Sequence, residues 1–478
     1  MTGTVKRFVI ALMVVLALVA AACSSSKKSS TTTTAASSNT TAASSNTTAG
    51  GSNTTAASGG GSSSGLNNAG GGSLADQANK APLAGKTGSG LTRGITTDSI
   101  TVGCVSEVQN FAGYEQGLRA RIERANKDGG VNGRKINLLP CKDDSAGVQA
   151  NLSAIQGLVN QNNAFAVFTL SQFVLSGSTD FLQSNEVPYY GWGFLPGFCG
   201  NRWGFGWNGC LAGNTVTAQQ DPVRAIQGAL ADAIIKASGM DPTQVKLAVQ
   251  ADNSAAGKAG NPQYNTLYKA RGAQVVYLEN NFPANVAGAD VTPYVQAMVA
   301  AKPNIVMIST PFADVGPIAA GLTAAGYTGV RYDYTNYIPG LLASAPQLAK
   351  ALDGEYVNTQ IVPAEQNTPF IQQINTDLQA IGQKPFVTLG GEIGYIEGEQ
   401  FVEELQAVGQ DLNTKTWDQK VNGGGFTAYK DLQGGPGPMQ FPAGHDIAAD
   451  CAAIVKISGT SYNVVTPFQC YSSLPVTS

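Results

Sequence analysis

The stretch ANKDGGVNGRKINLLPCKDD, residues 125–144, connects a helix to a strand through two turns. Asp128-Gly129-Gly130 predicts the end of the helix, because glycine readily adopts the left-handed conformation of a helix C-cap. Asn132-Gly133 predicts a tight turn before the strand RKINLLP. Upstream, ITVGCV from Ile100 is a short apolar run rich in β-branched residues and predicts a buried strand. Apolar residues recur between the two strands at helical spacing, at Tyr114, Leu118, Ile122 and Ala125. Together these features predict a strand–helix–strand unit.

The same alternation continues along the chain. Further strands are predicted at AFAVFTL (from Ala164), VPYYGW (Val187), VKLAV (Val245), AQVVYL (Ala273), NIVMIS (Asn304) and VRYDY (Val330), with helical patterns between them. Strands that alternate with helices in this way form parallel sheets covered by helices. Because two such series follow one another, the sequence predicts an α/β fold of two doubly wound lobes.

Three segments carry a family resemblance: ITTDSITVGCV from Ile95, the block 125–144, and VKLAVQADNSAAGKA from Val245. They resemble the amino-acid-binding subfamily of type I periplasmic binding proteins, the solute receptors of ABC importers, which include the branched-chain amino acid receptors. The resemblance implies two lobes joined by a three-stranded hinge, with crossings near Gly213, Ile361 and Lys430. We therefore expect lobe 1 at residues 94–215 and 362–430, and lobe 2 at 216–361 and 431–478.

The resemblance also implies a function. The protein would capture a small molecule (an amino acid, an amide or a ring-bearing compound) between the lobes and deliver it to ABC permease subunits in the membrane. A ligand-sensing receptor of the same fold without transport remains an alternative, and an α/β hydrolase is a weaker one. The globular part contains one histidine, His445, and lacks a G-x-S-x-G elbow, a Walker loop and zinc-type Cys/His spacing. We expect no enzymatic activity, no catalytic residue, no metal and no cofactor.

The N-terminal segment predicts export and lipid attachment. An apolar run, 8–22, follows Lys6 and Arg7 and is too short to span a bilayer comfortably, but it suits a signal peptide at 1–22. Three alanines before Cys23 resemble the lipobox of bacterial lipoproteins, which implies an extracytoplasmic protein anchored to the cell membrane by lipid on Cys23. An ordinary secretory signal with a chance cysteine is the alternative. Residues 23–93, rich in Ser, Thr, Ala, Gly and Asn, are expected to be a disordered tether.

Cysteine and charge patterns add further expectations. Six of the seven cysteines follow Cys23, an even number in a chain sent to an oxidising compartment. Their positions favour three disulfides, Cys104–Cys141, Cys199–Cys210 and Cys451–Cys470, with free buried thiols as the alternative. The net charge of −3 is scattered along the chain, which argues against a nucleic-acid partner. We expect a monomer.

Ligands of doubly wound sheets bind outside the carboxyl ends of the strands. The loops that follow the predicted strands therefore supply the candidate ligand-binding residues, which are Gln109, Ser171, Gln172, Trp192, Gly193, Phe194, Ser254, Phe312, Asn336 and Tyr337. The resemblance implies a tyrosine where Ala256 stands and an acidic residue where the neutral stretch 335–337 stands, although Asp333 is close. Because a buried ammonium needs a charge partner, these departures argue against an ordinary α-amino acid.

One loop is unusually aromatic. The segment YYGWGFLPGFCGNRWGFGWNGC from Tyr189 contains Trp192, Trp203 and Trp207, three of the four tryptophans in the chain. Such rings could stack on a ring-bearing ligand. They could equally pack as a lid over the core of lobe 1. The sequence leaves both interpretations open.

Overall fold

A computed structural model describes residues 74–210, 225–283, 286 and 288–475. The predicted signal peptide, Cys23, the first part of the predicted tether and the predicted crossing at Gly213 lie outside the described residues.

The described chain alternates strands and helices as predicted. Its strands are β1 (Ser99–Ser106), β2 (Lys135–Leu138), β3 (Lys142–Asp143), β4 (Ala166–Leu170), β5 (Tyr189–Gly191), β6 (Gly204–Gly206), β7 (Ala225–Ile226), β8 (Lys246–Asp252), β9 (Gln274–Phe282), β10 (Ile305–Ser309), β11 (Val330–Asp333), β12 (Tyr356–Thr359), β13 (Thr427–Ala428), β14 (Met439–Gln440), β15 (Cys451–Ser458), β16 (Ser461–Cys470) and β17 (Leu474–Pro475). Its helices are α1 (Leu74–Ala78), α2 (Tyr114–Lys127), α3 (Val148–Asn160), α4 (Ser176–Ser184), α5 (Ala229–Ser238), α6 (Ala255–Ala270), α7 (Thr292–Ala300), α8 (Phe312–Ala324), α9 (Leu341–Ser344), α10 (Pro346–Ala351), α11 (Pro369–Ala380), α12 (Leu389–Val408) and α13 (Thr414–Val421).

Two separate sheets organise these elements. The first sheet has the order β2-β1-β4-β5-β6, with β3 beside the end of β1, and all its pairings are parallel. The second has the order β16-β15-β12-β11-β10-β8-β9 and is parallel from β12 to β9, whereas β15 and β16 run antiparallel. The predicted α/β fold of two parallel-sheet lobes is confirmed.

Helix α12 returns late in the chain to cover the first lobe. It packs tightly on α2, because a Cβ atom on Gly117 would lie only 1.8 Å from the carbonyl oxygen of Gly391. The absence of a side chain at this position lets the two helix backbones approach each other.

The end of the predicted tether is part of the first lobe. We call residues 74–93 the strap. The amide of Ala84 donates to the carbonyl of Gly200 at 2.6 Å. The ammonium of Lys86 lies 2.8 Å from one carboxylate oxygen of Glu186, and the amide of Ser89 donates to the other at 2.7 Å. The composition of residues 74–93 did not predict this ordered packing, because the strap is held mainly by backbone hydrogen bonds. Polar residues can form such bonds as well as apolar residues can.

Two segments differ from the sequence prediction. The aromatic loop contains β6, which extends the first sheet beyond β5. The segment between β14 and β15 was expected in lobe 2, but it packs on lobe 1. His445 Nδ1 lies 2.8 Å from the carbonyl oxygen of Gly204, and the Phe441 ring centroid lies 5.3 Å from that of Phe205. The chain joins the second sheet only at Cys451.

The three predicted disulfides are present, between Cys104 and Cys141, Cys199 and Cys210, and Cys451 and Cys470. The last pair links directly opposite residues of β15 and β16. Among the helices in the described ranges, none combines the length and apolar character needed to cross a membrane.

Candidate ligand-binding cleft and family

The carboxyl ends of three strands meet at one edge of the first sheet. Ser106, the last residue of β1, is in register with Asp143 of β3 and with Leu170 of β4. The residues that follow, Glu107, Asp144 and Ser171, are therefore neighbours at this edge, and all three are buried.

Glu107 connects two of these loops. One of its carboxylate oxygens accepts a hydrogen bond from the Asn110 amide at 2.5 Å, and the other accepts one from the Gln172 backbone amide at 3.3 Å. Burial and the nearby charge of Asp144 raise the pKa of Glu107, although the Gln172 bond opposes this shift. Hydrogen bonds thus hold the carboxyl group in place, while its surroundings disfavour its ionised form.

Asp144 is fully buried behind Glu107. Its Oδ2 accepts a hydrogen bond from the Asn151 amide of α3 at 2.8 Å. Its Oδ1 has no protein partner of standard hydrogen-bond geometry. Burial raises the pKa of Asp144, although Asn151 and the nearby Ser171 side chain act in the opposite direction. Ser171 and Glu107 both lie close enough to interact with this carboxyl.

The second sheet presents a comparable edge. Its strands β8, β10 and β11 end at Asp252, Ser309 and Asp333. The hydroxyls of Ser309 and Tyr334 lie 2.9 Å apart. In the first turn of α8, burial and the charge of Asp252 raise the pKa of Asp314. This edge, like the first, combines acidic and hydroxyl groups.

Asp333 organises the turn after β11. Its Oδ1 accepts hydrogen bonds from the backbone amides of Thr335 and Asn336, at 2.7 and 2.9 Å. Its Oδ2 and the Oδ1 of Asn336 are buried without a protein hydrogen-bond partner. Burial raises the pKa of Asp333 despite the bonds from Thr335 and Asn336.

Large apolar side chains are exposed at the same two edges. Five of them, each 37–48 % exposed, lie in the loops after parallel strands or at the starts of the next helices: Val108, Val148, Leu175, Phe312 and Tyr334. Exposed apolar groups gathered in one region mark ligand or partner sites more often than single exposed residues do. The two strand-end edges are therefore the candidate binding surfaces.

Comparison with known proteins identifies the family. The sequence profile described as "Periplasmic binding protein" matches residues 103–461. The chain belongs to the periplasmic binding protein family. This family is a class of solute-binding proteins and not of enzymes, so the expectation of no enzymatic activity is confirmed. A search of curated protein sequences found no match.

Solved structures share the fold of this periplasmic binding protein. A fatty acid ABC transporter substrate-binding protein from Thermomonospora curvata aligns with a TM-score of 0.61 and 18% identity, over 81% of this chain and 95% of that one. A solute-binding protein from R. palustris in complex with benzoate gives 0.54 and 15%, over 78% and 98%. A branched-chain amino acid ABC transporter protein from Thermus thermophilus with bound valine gives 0.58 and 16%, over 79% and 98%.

The structure places the predicted ligand residues in different settings. Gln109, Gln172 and Phe312 are exposed at the strand-end edges of this periplasmic binding protein, and Ser171 is buried beneath them. Ser254 caps α6 by accepting a hydrogen bond from the Gly257 amide at 3.0 Å. Its hydroxyl thus already has a structural role.

Asn336 and Tyr337 are buried in the turn after β11. The Tyr337 hydroxyl donates to a carboxylate oxygen of Glu365 at 2.7 Å and accepts from the Ala364 amide at 2.7 Å. Tyr337 therefore contacts the segment that leaves β12, rather than an open surface.

The aromatic loop divides into two parts. Trp203, Trp207, Phe198 and Phe205 are buried in the first lobe, as the core interpretation predicts. Trp192 is only partly buried, and its ring centroid lies 5.3 Å from Phe194 and 6.1 Å from Phe111, a residue in the loop after β1. Between them, the Gly193 amide donates to Asn208 Oδ1 at 3.0 Å. Trp192 and Phe194 thus stand beside the first edge.

The strand-end stretch predicted from the sequence, 106–109, includes Glu107, although Gln109 was chosen as its ligand residue, and Asp144 was not proposed. The available signal was their position directly after β1 and β3, at the end of the quoted block. Within the described residues, no cluster of three or more His, Cys, Asp or Glu side chains could hold a metal ion.

Proposed function

We propose that this protein is a lipid-anchored, extracytoplasmic solute receptor that captures a small molecule between its two lobes and delivers it to an ABC importer. The observation that carries the proposal is the pair of parallel sheets, each with exposed apolar groups and buried polar groups at the carboxyl ends of its strands. Structures of the same fold bind benzoate and valine, and another is a fatty acid receptor, all of them small carboxylate solutes.

A hydrogen-bonded ring at the junction of the lobes supports a hinge. The Asn208 side-chain amide donates to Gln360 at 2.9 Å, and Gln360 donates to Gln227 at 3.1 Å. Gln227 donates to the carbonyl of Ala449 at 3.0 Å, and the Ala449 amide donates to the carbonyl of Asn208 at 2.9 Å. These four residues flank the chain segments that pass between the sheets. Hydrogen bonds that link such connecting segments to one another suit a hinge that closes around a bound solute.

The proposal predicts a ligand-dependent change of shape. We would titrate the purified protein with L-leucine, L-valine, benzoate, octanoate, phenylalaninamide, 2-phenylethylamine and glucose, and follow tryptophan fluorescence, the melting temperature and the radius of gyration from X-ray scattering. One compound should bind in the micromolar range, raise the melting temperature and reduce the radius of gyration, because a solute that bridges both lobes favours the closed state.

The control is a small hydrophilic compound at the same concentration, such as glycerol, which should leave all three measurements unchanged. If no compound in the panel changes the melting temperature or the radius of gyration, the receptor proposal is contradicted.

A further inference from the structure

The charges at the strand ends are of one sign. The strand-end positions are the last residue of each parallel strand from β1 to β5 and from β8 to β11, and the two residues that follow it. Together these positions contain five carboxylates and neither lysine nor arginine. The five are Glu107, Asp143, Asp144, Asp252 and Asp333. The chain as a whole has a net charge of −3. The acidic character is therefore concentrated where the proposed ligand would bind, which favours a positively charged solute.

A buried hydrogen-bond acceptor faces the first edge. Asp144 is fully buried, and its Oδ1 has no protein hydrogen-bond partner of standard geometry. Its other oxygen is occupied by Asn151, at 2.8 Å. Buried polar atoms are nearly always hydrogen-bonded in native proteins. The Ser171 side chain acts on Asp144 as a hydrogen-bond donor. A ligand amine would be a further donor to this carboxyl, whereas a ligand carboxylate has none to offer.

An apolar surface adjoins this acceptor. Val108 follows Glu107 directly, and Leu175 precedes α4 on the neighbouring loop; both are exposed. The Trp192 ring packs against Phe111 of the same loop, and its indole N–H is unpartnered within the described residues. Aromatic and aliphatic groups of this kind bury the body of a ring-bearing ligand.

We infer that the bound solute combines an apolar, ring-bearing body with a protonated amine that is directed at Glu107 and Asp144. This inference rests on the proposed receptor function and specifies its ligand class. It differs from the benzoate found in one structure of the same fold, which carries a carboxylate and no amine. The valine found in another carries both an amine and a carboxylate.

The electrostatics of the pair agree with this assignment. Burial raises the pKa of both Glu107 and Asp144, and the charge of Asp144 adds to the effect at Glu107. A cation beside two such carboxyls favours their ionised forms, whereas a carboxylate ligand would add a third negative charge. Two further charged residues at the first edge, Asp143 and Lys142, are exposed to solvent.

The test compares two probes of nearly the same shape, 2-phenylethylamine and 3-phenylpropanoate, on the full mature protein in detergent, by calorimetry and tryptophan fluorescence. The amine should bind at least tenfold more tightly than the carboxylate. D144N should weaken amine binding at least tenfold. D128N makes the same change at an exposed position at the C-terminal end of α2, away from the strand ends, and should change affinity less than twofold.

If D144N does not fold, E107Q serves as the second variant with the same expected loss. Equal or tighter binding of 3-phenylpropanoate overturns the inference and leaves the receptor function standing. The same conclusion follows if neither probe binds while leucine, valine, octanoate or benzoate does. If neither probe nor any other compound of the panel binds, both the inference and the proposed function fail.

Discussion

Trp192 and Trp203 belong to the same aromatic loop but have different surroundings. Trp203 is fully buried, and its indole N–H donates to the carbonyl of Lys86 in the strap at 2.9 Å. Trp192 is partly buried beside Phe111, and its indole N–H lacks a protein partner in the described part of the chain. The first is therefore a core residue, and the second stays a candidate for ligand contact.

This contrast yields a matched pair of variants. Trp203→Ala should lower the free energy of unfolding by about 3–5 kcal/mol, since it empties a large buried site. Trp192→Ala should leave the melting temperature within a few degrees of the wild type but weaken binding of the solute about tenfold. Denaturant unfolding and ligand titration measure the two effects. An unchanged affinity for Trp192→Ala would assign its ring to lobe packing alone.

At the scale of elements, α12 is unusual because it carries acidic residues into the protein interior. Glu392, Glu397 and Glu404 are each at most 1 % exposed. The hydroxyl of Tyr114 donates to Glu397, and that of Tyr190 donates to Glu404. Burial raises the pKa of Glu397 to about 8 and that of Glu404 well above its usual range. Burial thus favours the protonated form of these carboxyls.

This helix makes stability depend on pH. An acid whose pKa is raised by folding binds its proton more tightly in the native state, so it stabilises the fold at low pH and this contribution is lost as the pH rises. For Glu397, the loss runs from its ordinary value of 4.5 to about 8. The melting temperature should fall between pH 5 and pH 9, and Glu397→Gln should make this fall shallower. Glu123→Gln, an exposed change on α2, should not.

Much of the fold could be predicted from the sequence, because buried parallel strands leave an apolar signature that does not depend on their partners. Strand β6 could not. It is only Gly-Phe-Gly, and it is held by backbone pairing with β5 and by the burial of Phe205.

The candidate site was less predictable than the fold. The sequence can predict that a residue lies in the loop after a strand. It cannot predict whether the side chain of that residue is already hydrogen-bonded within the protein. Ser254 is bound to its own helix, and Tyr337 to Glu365. Glu107 lies in a strand-end stretch that the sequence predicts, but Asp144 became a candidate only when the register of β1 and β3 brought the two together.

At the scale of the whole molecule, the proposed lipid anchor predicts where the protein is found. Cys23→Ala removes the thiol that would carry the lipid, so the variant should appear in the soluble extracytoplasmic fraction or the medium, whereas the wild type remains with the membrane. Fractionation and immunoblotting measure the distribution. Cys199→Ala with Cys210→Ala, which removes a disulfide and leaves Cys23 intact, is the control and should stay with the membrane. Retention of Cys23→Ala would contradict the anchor.

The strap joins the N-terminal chain to the first lobe, through Lys86 and Ser89 on Glu186. With the proposed lipid on Cys23, force from the membrane would therefore act on the first lobe. Burial opposes ionisation of Glu186, but the bonds from Lys86, Thr414 and Ser89 lower its pKa to about 2, so the joint keeps its charge in all but strong acid. In such an anchored receptor the second lobe would carry no tension from the membrane and would be the lobe that moves when the cleft closes.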